Sequence, residues 1–189
     1  AIKTAEGTRE DPSNFLSMAG NILIREKNYR QALDAYQSIK KFQPEPKTPI
    51  AIAGTTYRIA TCYRMLGKLS NALPLAQKAV ALLPIEKDVF YGASALVELA
   101  NCEFEAHQIN LALQHALLAY QTFTKAKNNG GCVESAELLT AIYKHKGNYR
   151  KALEYNELRY RFQQQIERQQ STRQLAFGEF TRNTKVKKA

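Results

Sequence analysis

The chain has 189 residues, of which 44% are hydrophobic and 23% are charged, a balance typical of a folded globular protein rather than a disordered one. No apolar run approaches the ~18 residues that a membrane-spanning helix needs, and the polar residues 1–12 lack the apolar core of a signal peptide. The net charge is +10, and residues 144–189 contribute most of it, with twelve basic and four acidic side chains.

The organising feature of the sequence is a repeat of 40 residues. An Ala-Leu dipeptide recurs at this one spacing, at Ala32-Leu33, Ala72-Leu73, Ala112-Leu113 and Ala152-Leu153. Apolar residues follow each dipeptide at helical spacing, for example Tyr36 and Ile39 in the first copy. Four copies at one spacing indicate a tandem-repeat architecture.

In chain order, the pattern predicts a linker or the end of a preceding helix at residues 1–12, followed by helical hairpins at 13–47, 48–87, 88–127 and 131–165. The first helix of each hairpin carries a small residue where the second helix packs closely, at Gly20, Ala60, Ala100 and Thr140. A turn follows at Lys27-Asn28, Gly67-Lys68, His107-Gln108 and Gly147-Asn148, where Gly or Asn suits the left-handed residue that ends a helix.

Prolines and glycines indicate where helices start, end or break. Pro44 and Pro84 close the first two units, and we expect Pro74 to lie in the first turn of its helix, where a missing N–H costs little. Gly130-Gly131 is interpreted as a break between helices rather than a phosphate-binding loop, because no Lys-Ser or Lys-Thr follows it. Since a single hairpin cannot bury both of its faces, stacking is required, and the predicted fold is an all-α solenoid.

The pattern of small residue, turn, Ala, aromatic (Tyr36) and closing Pro resembles the tetratricopeptide repeat (TPR) family over residues 13–165. Glu103 and His107 depart from it in the third unit. The resemblance implies a right-handed superhelical array of antiparallel hairpins that binds a protein or peptide. The 40-residue period is similar to that of the long repeats at the N-termini of bacterial sensor histidine kinases and transcriptional regulators.

Residues 166–189 form a basic extension that we expect to continue the last helix, because no Pro interrupts 150–187. Residues 150–187 carry an interrupted apolar stripe of Leu158, Phe162, Ile166, Leu175, Phe177 and Phe180. Two interpretations stay open: a cap over the last repeat, or a signalling rod that leads to an output domain.

The TPR resemblance also implies where a ligand binds. The first helix of each unit lines the concave surface, and the residue after the small packing residue contacts the ligand backbone, here Asn21, Thr61, Asn101 and Ala141. With Arg25, Tyr57, Arg64 and Lys144 nearby, the predicted groove suits an extended segment that carries acidic and aromatic residues. The predicted site residues are Asn21, Arg25, Tyr57, Thr61, Arg64, Asn101 and Lys144.

No catalytic, cofactor-binding or metal-binding motif is present in the sequence, so we expect a binding protein and not an enzyme. His107, His115 and His145 lack metal-ligand spacing. The three cysteines, Cys62, Cys102 and Cys132, form no CxxC pair and favour a reducing compartment such as the cytoplasm, although the array of a sensor would also be compatible with an extracytoplasmic position.

Three functions compete at this stage. The first is a peptide- or protein-binding module that serves as the sensory or docking region of a bacterial signalling protein. The second is a scaffold that self-associates as a homodimer through the C-terminal helix or an uncapped repeat end. The third is contact of the basic C-terminal extension with nucleic acid or an anionic membrane, through Phe177, Phe180, Arg173, Arg182 and Lys185. It ranks last because basic helical extensions are commonly only solvated.

Overall fold

A computed structural model describes residues 12–42 and 48–186, with side chains described for 12–39 and 48–178. Residues 1–11 of the predicted linker 1–12, the closing Pro44 and residues 187–189 lie outside this part of the chain, whereas Pro12 is the first residue of a helix. The described residues form eight helices: α1 (Pro12–Arg25), α2 (Tyr29–Phe42), α3 (Pro49–Met65), α4 (Leu69–Leu82), α5 (Val89–Glu105), α6 (Ile109–Lys125), α7 (Asn129–His145) and α8 (Tyr149–Val186).

The helices pack as the repeat predicts. Consecutive helices contact each other along the whole array, and α3, α5 and α7 also contact one another in sequence. The first helices of successive hairpins therefore lie side by side, which places them on one surface of the stack. The prediction of an all-α solenoid of hairpins with a long C-terminal helix is confirmed. At ~1.5 Å per residue, the 38 residues of α8 extend about 57 Å.

The four turns within the hairpins and the turn between α6 and α7 share one geometry. The second residue after the helix end has positive φ, at Lys27, Gly67, His107, Lys127 and Gly147. At each one, two backbone N–H groups donate to carbonyls of the last helical turn, such as Lys27 N to Ile24 O (3.0 Å) and Asn28 N to Leu23 O (2.8 Å). This is the Schellman arrangement.

The structure corrects the interpretation of the turn asparagines. Asn28 and Asn148 do not adopt the left-handed conformation; each follows that residue and caps the next helix. Asn148 Oδ1 accepts from Lys151 N at 3.1 Å, and Asn128 Oδ1 accepts from Gly131 N in the same way. Asn suits this position because its side-chain oxygen satisfies a free N–H of the first turn.

Two local predictions about helix breaks are wrong. Pro74 is the sixth residue of α4 rather than a first-turn residue. Its position is tolerated because Ser70, whose carbonyl loses a helical donor, is exposed to water. Gly130 and Gly131 lie in the first turn of α7 and not between helices. A Cβ on Gly131 would overlap the ring of Phe123, so this glycine permits close packing of α6 on α7.

Small residues let the hairpins approach closely. Ala60 and Ala100 are fully buried. A Cβ on Gly20 would lie 2.5 Å from Tyr36 Cζ, so the Tyr36 ring packs directly on the α1 backbone. The core consists of such contacts between adjacent helices, repeated along the array. All three cysteines are buried in it as free thiols.

Candidate functional site

A groove of about 830 Å³ runs along the surface formed by the first helices. Its walls come from α1, α3, α5 and α7, with Phe123 and Asn128 contributed by α6 and the turn after it. The groove crosses all four hairpins, so its position follows directly from the stacking of the repeats. It is open to solvent along its length and exposes large apolar side chains, among them Phe90 (50% exposed) and Met65 (43%).

Six of the seven predicted site residues line this groove: Asn21, Arg25, Tyr57, Thr61, Arg64 and Asn101. Ala141, the fourth residue of the predicted backbone-contacting set, lines it as well. The seventh, Lys144, is exposed at the C-terminal end of α7 and does not line it. Whether these residues contact a ligand stays a prediction. Four charged residues that also line the groove were not among the predicted site residues: Arg58, Glu98, Glu134 and Glu137.

Asn21 is held by bonds within the protein. Its Oδ1 accepts from Tyr36 Oη at 2.8 Å and from Arg58 Nε at 2.9 Å. Arg58 also donates from Nη1 to Gly54 O at 2.8 Å. Asn21 therefore has only its amide N–H₂ group left for a ligand, and its orientation is set by the first hairpin and by α3 together.

Asn101 differs from Asn21. Among the described residues its carboxamide makes no hydrogen bond, and it is half-buried in the groove wall. An Asn side chain carries both donors and acceptors. Asn101 is thus placed to bind both groups of a peptide unit, donating to the carbonyl and accepting from the N–H.

Arg64 is neutralised by two carboxylates of α5. Its Nε lies 2.8 Å from Glu98 Oε1, and its Nη1 lies 2.9 Å from Glu105 Oε1. Burial raises the pKa of the Glu98 carboxyl, and the Arg64 guanidinium opposes that rise. Cys102 Sγ also contacts Glu98 Oε1 at 3.6 Å. Because Arg64 is paired internally, it offers a ligand little free positive charge.

The lining charges outside the Arg64 pair lie on different helices, and Arg58 is near enough to Glu134 to oppose the rise in the pKa of its carboxyl. Arg25 and Arg58 lie towards α1 and α3, whereas Glu134 and Glu137 lie on α7. The Glu134 side chain reaches solvent but is surrounded by the walls of the concavity. Partial loss of water raises the pKa of its carboxyl, and the carboxylates of Glu98 and Glu137 add to this effect. Such a group is stabilised as an anion when a cation comes near.

Aromatic rings support Arg58 on both sides. Its guanidinium carbon lies 4.8 Å from the Tyr57 ring centre and 5.5 Å from that of Tyr91. Burial raises the pKa of the Tyr57 hydroxyl to about 12, although Arg58 opposes the rise. Tyr57 is therefore a neutral hydrogen-bonding group at any physiological pH. The stacked guanidinium is a rigid positive element on the α3 wall.

One of the two departures from the TPR pattern in the third unit, Glu103, has a structural partner. Glu103, which replaces an aromatic residue of the repeat pattern, is 4% exposed. Its Oε2 lies 2.8 Å from His115 Nδ1, so a buried carboxylate is satisfied by a histidine that the sequence suggested was incidental. His115 and Glu103 lie outside the groove lining. No group of three side chains suited to a metal occurs in the described part of the chain.

The C-terminal extension projects past the last hairpin. Leu175 and Phe177 are exposed at 69% and 68%, respectively. The hypothesis of nucleic-acid or membrane contact also involves Phe180, Arg182 and Lys185, whose side chains lie beyond the described ones. None of the helices in residues 12–42 and 48–186 is both long and apolar enough to cross a membrane.

No family model and no curated protein sequence matches the chain. Solved structures do match its fold. A Rap protein complexed with Competence and Sporulation Factor is 15% identical over 85% of this chain, with a TM-score of 0.71. The Rap conjugation gene regulator of plasmid pLS20, in complex with the Phr* peptide, is 15% identical over 84%, with a TM-score of 0.64.

A third match is YrrB, a TPR protein with an unusual peptide-binding site, which is 20% identical over 82% of this chain, with a TM-score of 0.50. The chain spans 45% and 47% of the two Rap proteins and 71% of YrrB. At these identities the likeness concerns the fold. The chain therefore has the architecture of the TPR-like helical-repeat proteins.

Proposed function

We propose that this protein binds an extended peptide segment of another protein in the groove formed by α1, α3, α5 and α7. The observation that carries the proposal is Asn101, whose carboxamide is unengaged by the described residues in the middle of the groove. A segment passing over it would gain two hydrogen bonds to one peptide unit, in addition to apolar contact with Phe90 and Met65. Two structures with this fold hold a factor or a peptide, which supports the same use here.

The charges of the groove refine the expected ligand. The sequence suggested an acidic segment, on the basis of Arg25, Arg64 and Lys144. Because Arg64 is paired and Lys144 lies outside the lining, we propose a segment of mixed charge instead. Its acidic residue would lie near Arg25 and Arg58, and its basic residue would lie near Glu134 and Glu137. This arrangement fixes the direction of the bound segment.

The experiment begins with a displayed library of random peptides, selected on the purified protein. Binding of the selected peptides is then measured by fluorescence anisotropy for the wild type and for Asn101→Ala. Loss of two hydrogen bonds should weaken binding by about tenfold or more. Asn71→Ala, at an exposed asparagine of α4 outside the groove, is the matched control and should bind as the wild type does.

The direction of the segment is tested with the same peptides. The double substitution Glu134→Gln/Glu137→Gln should weaken the binding of peptides that carry Lys or Arg. It should leave the binding of their neutral analogues unchanged. The proposal fails if no peptide is selected, or if the selected peptides bind Asn101→Ala and the wild type equally well. Selected peptides without basic residues would contradict only the mixed-charge refinement.

We further propose that the groove is the sensory or docking region of a bacterial signalling protein and has no catalytic activity of its own. The support is α8, a single helix that begins in the last hairpin and continues well past it, as a coupling element would. Hydrogen exchange at the amides of residues 166–178 should slow or quicken when a selected peptide occupies the groove. Unchanged exchange there, with protection only at the groove, would contradict coupling through α8.

A further inference from the structure

The first helix of the described part of the chain has an exposed apolar face. Phe15, Met18 and Ile22 follow one another at helical spacing on α1 and are 73%, 65% and 50% exposed. We call these three residues the head. Large apolar side chains grouped on one helix face commonly mark an interaction surface.

The residues equivalent to the head in the later units are covered. Forty residues after Ile22 come Cys62, Cys102 and Ile142, each 0% exposed. The positions equivalent to Met18 and Phe15 in the last two units are buried as well, at Glu98, Leu138, Ala95 and Ser135. In the last two hairpins this whole face of the first helix is therefore buried where the preceding hairpin packs, and in the second hairpin Cys62 is buried while Thr55 and Arg58 are half-buried.

The other end of the array shows the complementary half of the same contact. Tyr149, Leu153 and Tyr160 on α8 are 72%, 59% and 54% exposed, and we call them the tail. Leu33, at the position of Leu153 in the first unit, is only 8% exposed. The contrast arises because a following hairpin covers the second helix in the first three units and not in the fourth.

Within the chain, residues at positions equivalent to the tail pack against the first helix of the next hairpin, on the face that contains the positions equivalent to the head. Leu69 and Leu73 of α4 pack against the cluster that contains Cys102 of α5. Ile109 and Leu113 of α6 pack in the same way against the cluster that contains Ile142 of α7. The head and the tail are thus the two unpaired halves of an interface that the protein already forms three times.

The charge of α1 favours the same pairing. Between Pro12 and Ile24 this helix has no charged residue, whereas α3, α5 and α7 all carry charges in their interiors. The second helix of the last hairpin begins with Arg150 and Lys151 close to Leu153. Arg150 is paired with Glu154 at 3.3 Å, so an uncharged head meets a surface of mixed charge without electrostatic repulsion.

We propose that a second copy of this chain docks its head on the tail of the first, which continues the solenoid across the two molecules. The contact is heterologous, because different surfaces of each copy meet, so association does not stop at a dimer unless the ring closes. The groove stays open in such a stack. The inference is therefore independent of the peptide-binding proposal.

The test uses two variants that each remove one half of the interface. Met18→Glu places a charge in the head, and Leu153→Glu places one in the tail; both sites are exposed in the single chain, so folding should be unaffected, and circular dichroism verifies this. Light scattering of the wild-type chain over a concentration series should show mass rising beyond that of a dimer. Each variant alone should stay monomeric, because it lacks one of the two surfaces.

Mixing the two variants gives the decisive result. Met18→Glu keeps an intact tail and Leu153→Glu keeps an intact head, so an equimolar mixture should form a heterodimer that grows no further. Leu175→Glu, at an exposed apolar residue of α8 outside the tail, is the matched control and should associate as the wild type does.

Three outcomes would overturn the proposal. A wild-type chain that stays monomeric at every concentration would show that the two ends do not bind each other. Association of Leu153→Glu by itself would indicate a contact between two heads. Loss of association in Leu175→Glu would place the contact on the extension of α8 instead.

Discussion

The ion pair beneath the groove provides a quantitative test of how the units are joined. Arg64 and Glu98 side chains are only 13% and 6% exposed, and the pair links α3 to α5. Arg64→Met keeps most of the apolar stem but leaves the Glu98 carboxylate without its cation. Breaking a buried pair costs about 3–5 kcal/mol. We expect a loss near the lower limit, about 3 kcal/mol of unfolding free energy, because the open groove admits water to Glu98.

The pH dependence identifies the cause of this loss. The pKa of Glu98 is already raised by burial and should rise further without Arg64. A raised folded-state pKa means that the folded protein binds the proton more tightly than the unfolded chain. Stability of Arg64→Met should therefore recover as the pH falls from neutral towards the pKa of the unfolded carboxyl, by at most about 1.4 kcal/mol per pH unit.

Urea unfolding followed by circular dichroism, at neutral pH and at mildly acidic pH, measures these free energies. The double variant Arg64→Met/Glu98→Gln should regain most of the loss at neutral pH, since no buried charge is left. Glu105→Gln is the control; this carboxylate is 42% exposed, and its removal should cost less than about 1 kcal/mol. The reasoning is refuted if Arg64→Met is as mild as this control, or if its stability does not change with pH.

Three further predictions concern backbone geometry, packing and thiol reactivity. His107→Gly should raise the unfolding free energy by about 1 kcal/mol, because His107 has a φ of +60°, and Gly67→Ala, at a φ of +72°, should lower it by a similar amount in the same urea titration. Gly20→Ala should lower the thermal midpoint by displacing the Tyr36 ring, whereas Gly178→Ala, where a Cβ meets nothing within 4 Å, should not. Burial raises the pKa of Cys62 to about 12 and raises those of Cys102 and Cys132. A thiol reagent should therefore label none of the three in the native protein and all three after unfolding; labelling of the native protein would show that the core opens.

The turns show how far local sequence can be trusted. Gly67 and Gly147 were correctly placed at left-handed positions, because only the absence of a Cβ makes that conformation favourable. Lys27 and His107 adopt the same conformation without this advantage, since the Schellman bonds and the packing of the next helix compensate for the strain. The asparagines of the turns could serve either as a helix end or as a helix cap, and the sequence did not distinguish the two.

The groove, too, was predicted only in part. Its position was predicted from the TPR resemblance, which implies that the residue after each small packing residue lies on the concave surface. Its charge was not. Arg64 is paired with a glutamate 34 residues away, and Asn21 is bound by an arginine 37 residues away. Neither distance matches a helical period or the 40-residue repeat, so no sequence pattern indicated these partners.

The sequence by itself determined that this protein is a stack of helical hairpins with a groove on one side. It could do so because the small residues, turns and apolar positions recur at one spacing, and each acts on its nearest neighbours in the chain. Only the tertiary structure decided which groove charges are paired, which asparagine has an unengaged carboxamide among the described residues, and which apolar side chains of α1 and α8 are exposed. Those properties depend on where helices from different units meet, and the angle and separation of the units are set by all of their contacts together.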